Sequence, residues 1–194
     1  RMYVTTTKDF KTFSPSRLFL DPKFSVIDAV IVPRKKDDYV LVLKDNTRPN
    51  RNIKVAFGKS ATGEFSHVSE PFTKKFTEGP SVVTVGEEYL IYFDSYQSKT
   101  YEAMRTKDFK TFSKTKMLYD KGFNVIDATI VPNGKQFVMF LKDETREPVQ
   151  KNLKVAVSKK INKGYSNASA PITGNYWAEG PTTLKINGKW IVYF

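Results

Sequence analysis

The chain contains two related copies of one sequence. The stretch Val26–Val32 reads Val-Ile-Asp-Ala-Val-Ile-Val, and it returns with one change as Val125–Val131. The octapeptide Thr-Lys-Asp-Phe-Lys-Thr-Phe-Ser occurs at Thr7–Ser14 and again, letter for letter, at Thr106–Ser113. Repeats of this kind are typical of folds in which one structural unit recurs, so the duplication limits the possible folds more than composition does.

The local pattern predicts an all-β chain. Short runs rich in Val, Ile, Tyr and Phe alternate with turns made of Gly, Pro, Asn, Asp and Lys. No window shows a helical apolar period with capping residues. The strands predicted for the first copy are Val26–Val32, Tyr39–Leu43, Ile53–Phe57, Ser81–Val85, Tyr89–Phe93 and Tyr101–Arg105.

The spacing of these strands favours a β-propeller. Four antiparallel strands, the last of them at Glu64–His67, precede the tripeptide Glu78-Gly79-Pro80, and the same order then begins again. A unit of four strands in about 48 residues has the size of a propeller blade. Two blades in each copy predict four blades in one domain, residues 1–194, built from halves at about 1–98 and 99–194.

The two ends of the chain match neighbouring strands of one blade. Met2–Thr6 corresponds to the third strand at Tyr101–Arg105, and Trp190–Phe194 corresponds to the second strand at Tyr89–Phe93. We therefore expect the termini to complete one blade together, which would leave no open edge. The alternative is that the chain is part of a five-bladed propeller.

Composition excludes several classes of function. The chain has no cysteine and one histidine, His67, which rules out disulfides, thiolate sites and multi-histidine metal sites. Its net charge is +12, but the lysines are interleaved with acids and no basic helix occurs, so we expect no nucleic-acid partner. No apolar run approaches membrane-spanning length. We expect no cofactor, and a structural cation or water in a central channel stays open.

Each copy places carboxylates where a charge is costly. Asp28 and Asp127 lie within β-branched runs, where a carboxylate must be paired, hydrogen-bonded or facing a wet cavity. In a propeller, innermost strands bearing Asp28, Glu78, Asp127 and Glu179 would bring four carboxylates toward one axis. Like charges raise at least one pKa, which favours a general acid near neutral pH.

The combined motifs resemble glycoside hydrolase family 43. The resemblance rests on Val-Ile-Asp-Ala, on Glu-Gly-Pro some fifty residues later, and on Leu43–Arg48 between them. The repeated octapeptide and Ile191–Phe194 add to it. It covers nearly the whole chain, once per copy, as two copies of the family's middle blades. That family contains arabinofuranosidases, arabinanases and β-xylosidases built on a five-bladed propeller.

The resemblance implies inverting hydrolysis of arabinose- or xylose-containing plant polysaccharides or oligosaccharides. It implies that Glu78 or Glu179 is the general acid and that Asp28 or Asp127 tunes the pKa of that acid. No counterpart of the family's general base or of its late His-Gly segment is present. One arrangement uses Glu78 as acid, Asp28 as its tuner and Asp127 as base, and the mirror arrangement uses Glu179, Asp127 and Asp28. Alternatively, these acids only bind water, a cation or lysines.

Four further residues are candidates for substrate binding. Arg48 and Arg146 follow Lys-Asp-Asn-Thr and Lys-Asp-Glu-Thr, where a guanidinium can reach a carboxylate or sugar hydroxyls. The alternative for them is a turn-stabilising ion pair with the preceding aspartate. Trp177 and Phe76, each two residues before the glutamate of Glu-Gly-Pro, are candidates for stacking on a sugar ring, and core packing is the alternative.

Two other functions remain open at this point. One is a non-catalytic carbohydrate-binding propeller, and the other is an engineered or duplicated propeller that keeps the fold without activity. We expect a carbohydrate partner, no membrane partner, and a chain that is monomeric or self-associates to complete the ring. The resemblance implies a secreted or periplasmic protein, although no signal segment is recognisable in this chain.

Overall fold

The computed structural model describes residues 1–174 and 176–194, and these residues contain β-strands and no α-helix. The predicted all-β class is confirmed. The strands of the described residues are β1 (Met2–Val4), β2 (Arg17–Leu20), β3 (Val26–Lys35), β4 (Asp38–Asp45), β5 (Asn52–Gly58), β6 (Phe65–Ser66), β7 (Thr77–Val85), β8 (Glu88–Ser95), β9 (Thr100–Thr106), β10 (Lys116–Tyr119), β11 (Val125–Asn133), β12 (Gln136–Asp143), β13 (Asn152–Ser158), β14 (Thr182–Ile186) and β15 (Lys189–Tyr193).

The chain forms two compact units, which we describe separately. The first unit comprises Arg1–Pro80 and the second comprises Ser81–Phe194. The boundary lies inside β7, and so it differs from the division between the two sequence copies. Glu78 therefore belongs to the first unit.

The first unit contains a two-stranded sheet, β1-β2, and a four-stranded sheet in the order β3-β4-β5-β6. The neighbouring strands of both sheets are antiparallel. Strand β4 lies between two partners, and its residues from Val40 onward are all buried, which explains its continuous apolar run. Buried apolar side chains from β2 to β6 form the core, namely Phe19, Leu20, Val26, Leu41, Leu43, Ala56 and Phe65.

The second unit contains the sheets β10-β9-β8-β7, β11-β12-β13 and β14-β15. One apolar core joins the first two of these sheets, and it includes Leu90, Tyr101, Val125, Met139 and Leu141. The backbone N–H of Ile130 also donates a hydrogen bond to the Tyr92 hydroxyl at 3.0 Å, which fixes β11 against β8. Strands that follow one another in the sequence thus also lie next to one another, as in a series of blades.

The sheet count fits four blades, and the predicted β-propeller class is confirmed. The predicted outer strand at Glu64–His67 is reduced to β6, Phe65–Ser66. In the second unit, the described residues show no fourth strand beside β13. There the hydroxyls of Ser166 and Ser169 accept hydrogen bonds from the backbone of β13 at 3.1 and 3.0 Å. Serine side chains therefore accept hydrogen bonds from backbone N–H groups of β13 that would otherwise pair with an outer strand.

The repeated octapeptide folds into the same turn twice. The Asp9 carboxylate accepts hydrogen bonds from the backbone of Thr12 and Lys11 at 2.9 Å. The Asp108 carboxylate accepts the equivalent bonds from Thr111 and Lys110 at 2.8 Å. These backbone hydrogen bonds lower the pKa of both carboxyls to about 2, because they stabilise the ionised form. The local structure is set by the local sequence.

The phenylalanines of the two turns have different environments. Phe109 is 1% exposed and its ring packs against Tyr89 with ring centroids 4.7 Å apart, whereas Phe10 is 85% exposed. Phe13 is also exposed. The apolar character of the octapeptide's phenylalanines (Phe10, Phe13, Phe109 and Phe112) predicts packing between blades, and for Phe10 and Phe13 this prediction is wrong. Burial depends on the neighbours that the fold supplies, which the identical octapeptide does not encode.

This difference predicts unequal effects of the same substitution. We expect Phe109→Ala to lower the free energy of unfolding by about 3–5 kcal/mol, because it removes a fully buried ring. We expect Phe10→Ala to change it by less than about 0.5 kcal/mol, as for an exposed site. Both residues have a positive φ, so the backbone contribution cancels in the comparison. Urea denaturation measures both values, and equal losses would contradict the assigned burial.

Candidate functional site

The two Val-Ile-Asp-Ala stretches form matching β-bulges. In the β3–β4 ladder the register shifts between Ile27 and Val30, and in the β11–β12 ladder it shifts between Ile126 and Thr129. Asp28 and Asp127 lie in these bulges with φ of +48° and +57°. The left-handed region costs about 1–2 kcal/mol for a residue with a Cβ, and aspartate is among the residues that tolerate it best. Each bulge thus redirects a carboxylate out of the regular alternation of the strand.

In the first unit, Asp28 lies beside the Glu-Gly-Pro segment. The backbone N–H of Gly79 donates a hydrogen bond to the Asp28 carboxylate at 3.4 Å. The neighbouring Glu78 forms an ion pair with Lys44, whose side chain is 1% exposed. The structure therefore brings together two of the predicted acids, Asp28 and Glu78, with Lys44, which is buried although its position after a predicted strand favours solvent exposure.

The environment raises the pKa of Asp28. Part of its side chain faces solvent, yet burial by the surrounding protein disfavours the charged form and is the largest cause. The Lys44 charge and the Gly79 hydrogen bond lower the pKa, and the Glu78 charge raises it. The net direction is upward, so Asp28 retains its proton to a higher pH than an ordinary aspartate.

In the second unit, Lys142 corresponds to Lys44 and is also 1% exposed. It donates a hydrogen bond to Glu179 at 2.5 Å. This hydrogen bond, and then the Lys142 charge, lower the pKa of Glu179. The Thr129 hydroxyl donates to the Pro181 carbonyl at 2.5 Å, which holds β11 next to the Glu179-Gly180-Pro181 segment. Glu179 itself remains open to solvent.

Two buried polar residues behind Asp127 were missed from the sequence. The Asp94 carboxylate accepts a hydrogen bond from the Asp127 backbone N–H at 3.3 Å. Burial, followed by the charges of Asp94 and Asp127, raises the pKa of Tyr101 well above its usual range. Asp94 occupies the same strand position as Lys44 and Lys142, since it pairs with Tyr101 as Lys44 pairs with Ile53 and Lys142 with Leu153. A polar residue at this position, near the end of the second strand of a sheet, contacts a segment that follows in the sequence in all three cases.

The structure distinguishes between the two interpretations of Arg48 and Arg146. The Asp45 carboxylate pairs with Lys54 at 3.1 Å, and the Asp143 carboxylate pairs with Lys154 at 2.7 Å. Arg48 and Arg146 are exposed, and within the described residues neither forms an ion pair with these aspartates. The alternative interpretation, an arginine–aspartate ion pair, is therefore wrong: lysines pair with these aspartates, and the two arginine residues are exposed.

The aromatic candidates differ from one another. Trp177 is 72% exposed, and the Lys151 ammonium lies 5.6 Å from the centroid of its ring. Core packing is thus the wrong interpretation for Trp177. Phe76 is half-buried, and its backbone N–H donates a hydrogen bond to the Asn50 carbonyl at 3.0 Å. Only the tryptophan presents a large open ring.

No group of three or more His, Asp or Glu side chains suited to a metal ion occurs in residues 1–174 and 176–194. The described part of the chain also has no helix long and apolar enough to cross a membrane.

A family model described as a probable glycosyl hydrolase domain matches the chain twice, over residues 1–108 and 103–194. The chain belongs to this glycosyl hydrolase family. The family is related to glycoside hydrolase family 43, so the resemblance found in the sequence is confirmed. A comparison with curated protein sequences finds no significant match.

Solved glycosyl hydrolase structures share the fold. The catalytic domain of a family 62 α-L-arabinofuranosidase from Coprinopsis cinerea has a TM-score of 0.70 and 9% identity, with 89% of this chain and 61% of that chain covered. An exo-1,5-α-L-arabinanase from a bovine ruminal metagenomic library has a TM-score of 0.68 and 16% identity, with 98% and 79% covered. An endo-arabinase from Bacteroides thetaiotaomicron has a TM-score of 0.69 and 13% identity, with the same coverage.

At these identities the likeness concerns the fold. The chain spans 61% of the length of the Coprinopsis cinerea domain and 58% of an α-L-arabinofuranosidase from Podospora anserina. The glycosyl hydrolase family and the propeller fold are therefore shown, and the reaction is a matter for proposal.

The raised pKa of Asp28 predicts a pH-dependent stability effect. A carboxyl whose pKa is higher in the folded state than in the unfolded state makes the folded protein less stable as the pH rises through the titration range of that carboxyl. We expect Asp28→Asn, which tolerates the left-handed backbone, to be more stable than the parent at pH 7 and equal to it below about pH 4. Chemical denaturation across pH measures this difference.

Asp37 provides a matched control for that experiment. It is an exposed aspartate that also has a positive φ, at +57°. Asp37→Asn should change stability little at either pH. A loss of stability in Asp28→Asn at pH 7 would contradict the assignment, because it would mean that the ionised Asp28 is favourably paired.

Proposed function

We propose that the protein hydrolyses glycosidic bonds of arabinose-containing glycans with inversion. The carboxylates that it would use lie at or near the starts of strands, namely Asp28, Glu78, Asp127 and Glu179. The observation that carries the proposal is the Asp28–Glu78 pair, in which two neighbouring carboxylates have different partners. Asp28 accepts a hydrogen bond from Gly79 and has a raised pKa, while Glu78 is paired with Lys44. Neighbouring carboxylates whose environments differ in this way are suited to separate roles, here a general acid and the carboxyl that tunes its pKa.

The reaction requires a protonated acid and an ionised base. The acid gives its proton to the glycosidic oxygen as the bond to the anomeric carbon breaks. The base removes a proton from the water that attacks the opposite face of the sugar, at a carboxyl separation of about 6.5–9.5 Å. The resemblance gives the acid role to Glu78 or Glu179 and the tuning role to Asp28 or Asp127.

Solvent-facing side chains supply substrate contacts in this proposal. Trp177 offers an open ring for stacking on a sugar, and Arg48 and Arg146 offer donors for sugar hydroxyls. Phe76 takes the position equivalent to Trp177 with a smaller open face. The arabinose preference is supported by the names of four of the similar structures, which are arabinofuranosidases and arabinanases. Xylose-containing substrates are the second choice.

A second candidate function is carbohydrate binding without cleavage. The observation that favours it is the lowered pKa of Glu179, since an acid held ionised by Lys142 is in the wrong form to donate a proton. An engineered or duplicated propeller without activity would lack both binding and turnover. Action on plant polysaccharide would place the protein outside the cell or in the periplasm, and this location is part of the proposal.

Substitution of the glutamates tests the hydrolase proposal. We expect the protein to release the aryl group from an aryl α-L-arabinofuranoside and to cleave arabino-oligosaccharides. Removal of a general acid typically costs about 10²–10⁴ in rate, so Glu78→Gln or Glu179→Gln should lower kcat on oligosaccharides by that amount. The loss should be smaller on an activated aryl substrate, because its leaving group needs less protonation.

Glu70→Gln is the control, since Glu70 is exposed and lies away from the strand starts. Aryl xylosides should be assayed in parallel to compare the two sugars. Calorimetric binding of arabino-oligosaccharides without turnover would replace the proposal with the second function. Absence of both turnover and binding would contradict the two carbohydrate functions together.

A further inference from the structure

A buried lysine in the second unit is shared by two glutamates. The Lys142 ammonium donates a hydrogen bond to Glu179 at 2.5 Å and lies 2.9 Å from Oε2 of Glu144. The Lys142 side chain is 1% exposed and that of Glu144 is 11% exposed. Glu144 was not among the residues selected from the sequence. Its position directly after the end of β12 places it beside the family's glutamate.

The two contacts of Lys142 are of different kinds. Glu179 accepts a hydrogen bond, whereas Oε2 of Glu144 is buried and accepts no hydrogen bond from the described residues. The other oxygen of Glu144 is bound by Lys151. That oxygen is nevertheless 2.9 Å from the Lys142 ammonium, so the ion pair with Glu144 is present together with the hydrogen bond to Glu179. A small rotation of the ammonium at this distance would move its hydrogen bond from Glu179 to Glu144.

The first unit has a different residue at the position of Glu144. Lys44 and Glu78 repeat the lysine–glutamate pair there, but the residue that corresponds to Glu144 is Asn46. An asparagine carries no charge, so it cannot supply the counter-charge that Glu144 supplies to Lys142. The two units therefore differ at this position.

We propose that Glu144 is a positioning residue that takes over the hydrogen bond of the Lys142 ammonium when Glu179 engages the sugar substrate. The inference rests on the proposed hydrolase function, which assigns Glu179 a proton-transfer role. While Lys142 is bound to Glu179, the lysine favours the ionised form of that glutamate. Because Glu144 is already an ion-pair partner of Lys142, Glu179 is able to take a proton without leaving the buried ammonium unpaired.

The protons balance in this exchange. Glu179 takes one proton from solvent, and Lys142 keeps its three protons while its hydrogen bond moves to Glu144. Glu179 then gives its proton to the leaving glycosidic oxygen as the C–O bond breaks. The water that attacks the anomeric carbon loses its proton to the base. Glu179 is again a carboxylate and recovers the Lys142 hydrogen bond.

The charged groups around Glu179 favour such an exchange. Lys142 faces it from β12, and Lys151 faces it from the residue before β13. Burial, followed by the Lys142 charge, lowers the pKa of Lys151. Glu144 lies between them as the shared counter-charge.

The decisive experiment is a carboxyl carbon-13 NMR titration of Glu179 in the parent and in Glu144→Gln. The Glu179 signal is assigned by its loss in Glu179→Gln. Without Glu144, Lys142 has Glu179 as its remaining partner, so we expect the pKa of Glu179 to fall by about 0.5 unit or more. The alkaline limb of kcat/KM on arabino-oligosaccharides should move down by the same amount. Glu70→Gln should leave both unchanged.

An unchanged or raised Glu179 titration in Glu144→Gln would overturn the inference. If the titration shifts but the parent hydrolyses no glycan, the shared lysine stands and the proposed function fails. If the parent is active and neither titration nor pH profile shifts, the proposed function stands and the inference fails. These readouts respond to charge, which general damage to the fold does not mimic.

A gain-of-acceptor variant keeps the inference testable if Glu144→Gln does not fold. Asn46→Glu places a carboxylate at the equivalent position of the first unit. We expect a crystal structure of this variant to show the Lys44 ammonium within hydrogen-bond distance of the introduced carboxylate. A Lys44 side chain that contacts Glu78 alone in that structure would overturn the inference.

Discussion

A buried ammonium needs a counter-charge, and this requirement organises both candidate sites. Lys44 and Lys142 are the second-last residues of β4 and β12 and have almost no exposure, so an unpaired charge there would cost several kcal/mol. Glu78 and Glu179 supply the counter-charges, and these ion pairs hold the Glu-Gly-Pro segments beside the ends of β4 and β12. The carboxylates are thus positioned by pairing as well as by the path of the strands.

The bulges add a second constraint at the same end of each blade. Asp28 and Asp127 occupy left-handed positions that cost conformational energy, and the surrounding ladders hold them there. The Gly79 N–H then ties Asp28 to the start of β7. In the second unit, the backbone N–H of Asp127 donates a hydrogen bond to the Asp94 carboxylate. Contacts from a neighbouring strand therefore support the bulge in each unit.

The two sequence copies share their strands and repeated motifs but differ in some of the side chains beside the lysine–glutamate pairs. Asn46 and Phe76 of the first unit correspond to Glu144 and Trp177 of the second. The second unit thus combines an extra carboxylate and a large exposed ring beside its lysine–glutamate pair.

The sequence by itself determined the all-β class, the blade-sized repeat and the positions of Asp28, Glu78, Asp127 and Glu179, because periodicity and repeated motifs are local. It also determined the turns at Asp9 and Asp108, whose hydrogen bonds lie within three residues. Only the tertiary structure decided that Phe109 is buried while Phe10 is exposed, and that Lys54 and Lys154 pair with the turn aspartates. It alone revealed Lys142 between Glu144 and Glu179, because ion pairs and burial depend on which distant residues the strand registers bring together.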